Sequence, residues 1–134
     1  MLDVPLFIEW SSDTVREKLH NLADSISNRV REVNSVQREK YHLDAVFANN
    51  FTNAMYAVAD DYLTTNGLDF DNLLPIIKET ADRLKKGKPN QWQTGPAKRG
   101  DKAILEKHLS MLEDEQLKAI YAQMSHFIGQ KAHS

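Results

Sequence analysis

Between Ser35 and Asn66 the chain contains neither glycine nor proline. No other stretch constrains the fold as much. A breaker-free run of this length predicts one long helix. Ser35 is placed to cap it, and Asn66-Gly67 to close it with a left-handed residue just past the last turn. On a helical wheel with His42 at zero, Arg38, Asn49, Asn53, Tyr56 and Asp60 fall within roughly 40°. Leu43, Phe47, Phe51, Met55 and Val58 lie opposite. Ala45, Ala48, Ala54, Ala57 and Ala59 leave room for close approach of neighbouring helices. The pattern predicts a central helix with little of its length facing bulk water.

The flanking segments predict different elements. Val4–Trp10 is a short apolar run ending at Ser11-Ser12-Asp13, as a buried strand followed by a turn does. Val15, Leu19, Leu22 and Ile26 then recur at helical spacing behind a Ser12 or Asp13 N-cap. Residues 29–33 alternate charged and apolar, as an edge strand does. Residues 4–33 therefore predict a β-α-β unit, and composition shifts from α/β to all-α at residue 34. Beyond the long helix, residues 68–87 predict a second helix, with Pro75 kinking it or resetting its start. Asp101 caps the next predicted helix. Leu117, Ile120, Tyr121, Met124, Phe127 and Ile128 form the stripe of a last one with an acidic first turn. The expected fold is mainly α: a helical bundle around one long central helix, preceded by a residual β-α-β unit. The expected domains are 1–34 and 35–134. Two strands alone are marginally stable, so the N-terminal third reads as the end of something larger, or as an element that pairs with another chain.

Bulk properties narrow the function. The 134 residues carry a net charge of −2, which gives no pull toward nucleic acid or anionic membrane. With no cysteine, disulfides, zinc–thiolate sites and thiol nucleophiles are excluded. No apolar run is long enough to span a bilayer, and the N-terminus lacks a basic leader, so a cytoplasmic protein is expected. His20, His42, His108, His126 and His133 show no H-E-x-x-H and no i, i+4 pairing, so no metal site is expected. Neither G-x-S-x-G nor a P-loop motif occurs, and no G-x-G-x-x-G dinucleotide fingerprint.

Two places can carry chemistry. The first is the polar stripe of the long helix. His42, Asn49 and Asn53 either bond to neighbouring helices or a dimer mate, or line a cleft in which His42 moves a proton. The second is the loop "QWQTGPAKRGDKAIL". Gly95-Pro96 sets a turn, Gly100 permits a backbone that other residues resist, and Asp101 caps the following helix. Arg99 is then held on a rigid loop at a helix N-terminus. It serves either an anion or a contact with Asp101 or the backbone. Arg99-Gly100-Asp101 also spells a cell-adhesion tripeptide, which has no supporting context here.

Taken in order, "REKYHLDAVFANNF", "LLPIIKET", "TGPAKRGD" and "HLSML" resemble the C-terminal domain of the DUF2520 family. That domain belongs to Rossmann-like proteins assigned to NAD(P)-dependent oxidoreduction. It is similar in fold to the helical domain of 6-phosphogluconate dehydrogenase and pyrroline-5-carboxylate reductase relatives. The resemblance covers roughly residues 35–130. It implies that residues 4–33 are the last β-α-β of a Rossmann domain and that the long helix mediates a homodimer. Its motif positions are His42, Asn49 or Asn50, Thr94, Gly95, Pro96, Arg99 and Asp101; His42 and Asn49 are then expected in catalysis and Thr94, Gly95 and Arg99 on a small anionic substrate, with Asn53 of the polar stripe beside them. Pro96, Gly100 and Asp101 would be structural. Asn50 would also be structural, since it lies about 80° from His42 on the wheel. The glycine-rich nucleotide turn has no counterpart, so no cofactor is expected in this chain, and NAD(P) is implied only for a full-length protein. The reading that follows is a dimerisation and substrate-cleft domain that is not catalytically competent alone. The alternative is a non-catalytic helical binding or assembly module.

Overall fold

The computed structural model describes residues 2–132; His133 lies outside them. The chain is mainly helical with one small parallel sheet. It divides into two units, Met1–Phe70 and Asp71–Ser134.

The first unit opens with strand β1 (Leu6–Ile8), helix α1 (Asp13–Ile26) and strand β2 (Val30–Glu32). The strands are parallel, with Leu6 opposite Val30, Phe7 opposite Arg31 and Ile8 opposite Glu32, so the expected β-α-β is present. Ser27, 2% exposed, ties its base together. Its hydroxyl donates to the Val4 carbonyl and accepts the Arg29 N–H, at 2.5 and 3.0 Å. Ala23 is the buried apolar residue of this layer. The predicted apolar face of α1 is only partly covered: Val15, Leu22 and Ile26 remain exposed. A sheet of two short strands is too narrow to cover a four-turn helix.

The long helix follows as predicted, but with a defect at its centre. Helix α2 (Ser35–Ala45) passes into a π-helical turn (Val46–Phe51) and then helix α3 (Thr52–Thr65). Its N-cap is Asn34 rather than Ser35. Asn34 accepts the Gln37 N–H, while the Gln37 side chain accepts the Asn34 N–H, a reciprocal arrangement that satisfies two otherwise orphaned donors. Ser35 instead donates its N–H and hydroxyl to Glu9. These bonds, the hydroxyl's foremost, hold the Glu9 carboxyl below the usual carboxylate range. The C-terminus closes as expected on Gly67 at φ +68°. The Gly67 N–H reaches the Thr64 carbonyl and the Leu68 N–H the Leu63 carbonyl, the paired bonds of a Schellman ending.

In the second unit a 3₁₀ turn (Phe70–Leu73) leads into helix α4 (Leu74–Arg83), with Pro75 in its first turn. Proline thus resets the helix start, because its missing N–H costs nothing there. A 3₁₀ turn (Pro89–Trp92), the short helix α5 (Pro96–Arg99), helix α6 (Lys102–Met111) and helix α7 (Glu115–Ala132) complete the chain. Helices α6 and α7 are joined by His108 Nδ1 and the Tyr121 hydroxyl at 2.7 Å. Along the predicted α7 stripe, Leu117, Tyr121 and Ile128 are half-buried, while Ile120, Met124 and Phe127 are exposed.

Candidate functional site

His42, Asn49, Asn50 and Asn53 belong to the first unit; Thr94, Gly95, Pro96, Arg99, Gly100 and Asp101 belong to the second.

The π turn decides how the first group is arranged. An i→i+5 turn is equivalent to one extra residue in the helix. Everything beyond Phe51 therefore lags the simple wheel by roughly 100°. The continuous stripe expected from His42 to Asp60 does not run straight. Arg38 and His42 share one face, Asn53, Tyr56 and Asp60 share another, and Asn49 and Asn50 sit on the turn between. The Thr52 hydroxyl reaches back five residues to the Phe47 carbonyl at 3.3 Å, supplementing the loosened ladder. His42, Asn49, Asn50 and Asn53 are all exposed. None of their side chains bonds to another described residue, so the partners expected from neighbouring helices are not supplied within the unit. On the apolar side, Leu43, Phe47 and Phe51 are 58%, 60% and 52% exposed. The Phe47 and Phe51 rings meet edge-on at 5.2 Å.

The loop of the second unit is built much as its residues require. Gly95 sits at φ +105°, ψ 172° and Gly100 at φ +67°, ψ 28°. Between them α5 makes one turn. The Asp101 N–H returns to the Pro96 carbonyl at 3.0 Å and the Gly100 N–H to the Ala97 carbonyl at 3.3 Å, a second Schellman ending. Asp101 then caps α6, its Oδ1 accepting the Ile104 N–H at 3.2 Å. The Thr94 carbonyl accepts the Gln93 side-chain amide at 3.0 Å. Arg99 is exposed and makes no ion pair with any described residue, Asp101 included. Its guanidinium is a free cation on a braced turn.

A third feature was not read from the sequence. At the carboxyl ends of β1 and β2 lies a hollow of about 310 Å³, lined by Glu9, Trp10, Glu32, Val33, Asn34 and Gln37. Ligands of α/β sheets bind at such strand ends. Glu32 is its hub. Its Oε1 accepts Arg16 at 2.8 Å and meets His20 Nε2 at 2.6 Å, while the Arg16 guanidinium lies 4.8 Å over the Trp10 ring. The bond from Arg16, then that from His20, keeps the Glu32 carboxyl below its usual range. Only the position of Glu32 at the end of a predicted strand could have flagged it.

The β1–α1 junction does not suit a dinucleotide. Glu9-Trp10-Ser11-Ser12 contains no glycine, and Asp13 puts a carboxylate into the first turn of α1, where a pyrophosphate would need bare N–H groups. Among the described residues no cluster of three or more metal-ligating side chains occurs, and no helix is long and apolar enough to cross a membrane.

These features define a mainly α protein with a small parallel β unit, and the comparisons agree. The sequence profile of a domain of unknown function, DUF2520, matches residues 4–128; the chain belongs to that family. A crystal structure of "putative NADP oxidoreductase BF3122 from Bacteroides fragilis" superposes with a TM-score of 0.91 at 42% identity, covering 94% of this chain and 49% of that one. Protein TM1727 from Thermotoga maritima superposes at 0.69 with 29% identity, covering 87% of this chain and 48% of that one. The chain thus spans about half the length of these relatives. No curated protein matches it.

Proposed function

We propose that this polypeptide is the dimerisation and substrate-cleft part of an NAD(P)-dependent oxidoreductase whose nucleotide-binding half lies outside the sequence described. The observation that carries this reading is the 42% identity over 94% of the chain to half of a protein named for NADP oxidoreduction. In this reading residues 1–34 are the tail of the nucleotide domain, whose sheet continues past the two strands and covers the bare face of α1. Residues 35–134 form the helical domain. The apolar face of the long helix, with Leu43, Phe47 and Phe51, packs on a second copy.

In this reading His42 and Asn49 act on the substrate and Asn53 adds a polar contact, while Thr94, Gly95 and Arg99 bind an anionic group. Three properties support this assignment. The asparagines stand on or beside a π turn, a deformation found often at functional sites. Arg99 has no ion-pair partner among the described residues and stands on a turn braced by the Gly100 and Asp101 N–H bonds. The His42 imidazole is exposed and bonds to no described residue, so it is open to a substrate. The cofactor would be held by the other half, since the β1–α1 turn here is unsuited to it.

The deciding experiment reads the gene upstream of the Met1 codon and expresses whatever single open frame it belongs to. The expected frame adds a strand and a G-x-G-x-x-G. The product should be a dimer that binds NADP(H), with Arg99→Ala weakening anion binding while leaving cofactor affinity unchanged. A stop codon just before Met1 would overturn the oxidoreductase reading, and a monomer by light scattering would remove the long-helix interface. The second reading, a non-catalytic helical assembly module, is favoured by one observation, the exposed apolar face of the long helix, and predicts a dimer without cofactor binding.

A further inference from the structure

The second unit contains a hollow of about 410 Å³ that the cleft reading does not use. It lies between the Pro89–Trp92 turn, α5 and the last turns of α7. Phe127 and Ile128 form an apolar wall, Asn90 and Gln93 offer amides, and Lys98 and Lys131 supply two ammonium groups. The elements meet closely there: a methyl group added at Gly129 would stand 3.7 Å from the Ala97 carbonyl. The Lys131 ammonium lies 4.8 Å over the Phe127 ring. Neither lysine forms an ion pair with a described residue, and no carboxylate lines the hollow.

We propose that this hollow binds a small organic anion, a carboxylate or phosphate monoester carrying an aromatic or short aliphatic group. The charge balance demands an anion. Two lysines line one concave surface, and no described carboxylate lines it with them. The opposing field is the C-terminal end of α7, worth only about half an elementary charge. The wall sets the second requirement. Phe127 and Ile128 gain nothing from a bare inorganic ion, but they bury a ring or alkyl group while the head meets the lysines. The volume lies within the range of small-molecule sites. The inference is independent of the cleft reading, because Arg99 and the long helix do not line this hollow.

The test is calorimetric titration of the chain with phenyl phosphate, benzoate, inorganic phosphate and phenol, with amide shifts mapped by NMR. Phenyl phosphate and benzoate should bind more tightly than inorganic phosphate or phenol, and the shifts should fall on residues 89–93, 98 and 127–132. A Lys98→Ala, Lys131→Ala double variant should weaken binding about tenfold or more, and the shifts at residues 89–93 and 127–132 should persist in Arg99→Ala. Both lysines are on the surface, and a circular dichroism melt confirms that the variant folds. Equal affinity of the double variant, shifts confined to residues 94–101, or no binding at millimolar ligand would each overturn the proposal.

Discussion

Replacing Gly95 by alanine isolates the backbone cost of the basic loop. Gly95 lies at φ +105°, ψ 172°, a region held almost solely by glycine, where other residues store about 1–3 kcal/mol of strain. A Cβ there meets no atom within 4 Å, so crowding adds nothing. Alanine also stiffens the unfolded chain, which returns roughly 0.4–1 kcal/mol. The expected net loss is about 1–2 kcal/mol. For a unit of this size that lowers the melting temperature by roughly 7–15 °C. Gly100, at φ +67° and equally uncrowded, sits in the milder left-handed well. Alanine there should cost about 1 kcal/mol or less, and asparagine less again. The assay is thermal denaturation followed by Trp92 fluorescence in a Trp10→Phe background, so that only the second unit is seen. Equal losses at the two glycines, or a larger loss at Gly100, would refute the argument that backbone conformation alone builds this turn.

Two further outcomes test the remaining scaffold. Ser27→Ala leaves the Val4 carbonyl and the Arg29 N–H without their shared hydroxyl, so urea unfolding of the first unit should show a loss of about 1–3 kcal/mol. Asp82 is held down to about 2 from its ordinary 3.8, chiefly by the bond from Lys78 and then that from Lys85. Because its folded pKa is depressed, its contribution is complete above pH 3.8 and fades as pH falls toward 2. An NMR titration should find its midpoint rising back toward 3.8 in Lys78→Met, and partway in concentrated salt because the pair is exposed. An unmoved midpoint would show that Lys78 is not the cause.

Local chemistry was legible in the sequence where a single residue type decides the outcome. Gly67 at a positive φ, Asp101 as a cap, Pro75 in a first turn and the β-α-β periodicity all follow from short-range sterics and hydrogen bonding. They hold whatever surrounds them. The same logic failed by one position at Asn34, because two adjacent residues can both cap and only the Glu9 carboxylate settles which one does. The residue types His42, Asn49 and Arg99 could be singled out as site candidates, but their arrangement could not.

What the tertiary structure decided is cooperative or long-range. The π turn at Val46–Phe51 leaves no breaker in the sequence, yet it rotates the second half of the long helix and splits the polar stripe. The convergence of Arg16 and His20 on Glu32, and of Lys98 and Lys131 on one hollow, depends on packing between elements distant in sequence. Apolar spacing named the buried-type faces of α1, the long helix and α7. It could not say that much of each remains uncovered, because periodicity records which side seeks cover and holds no record of what provides it.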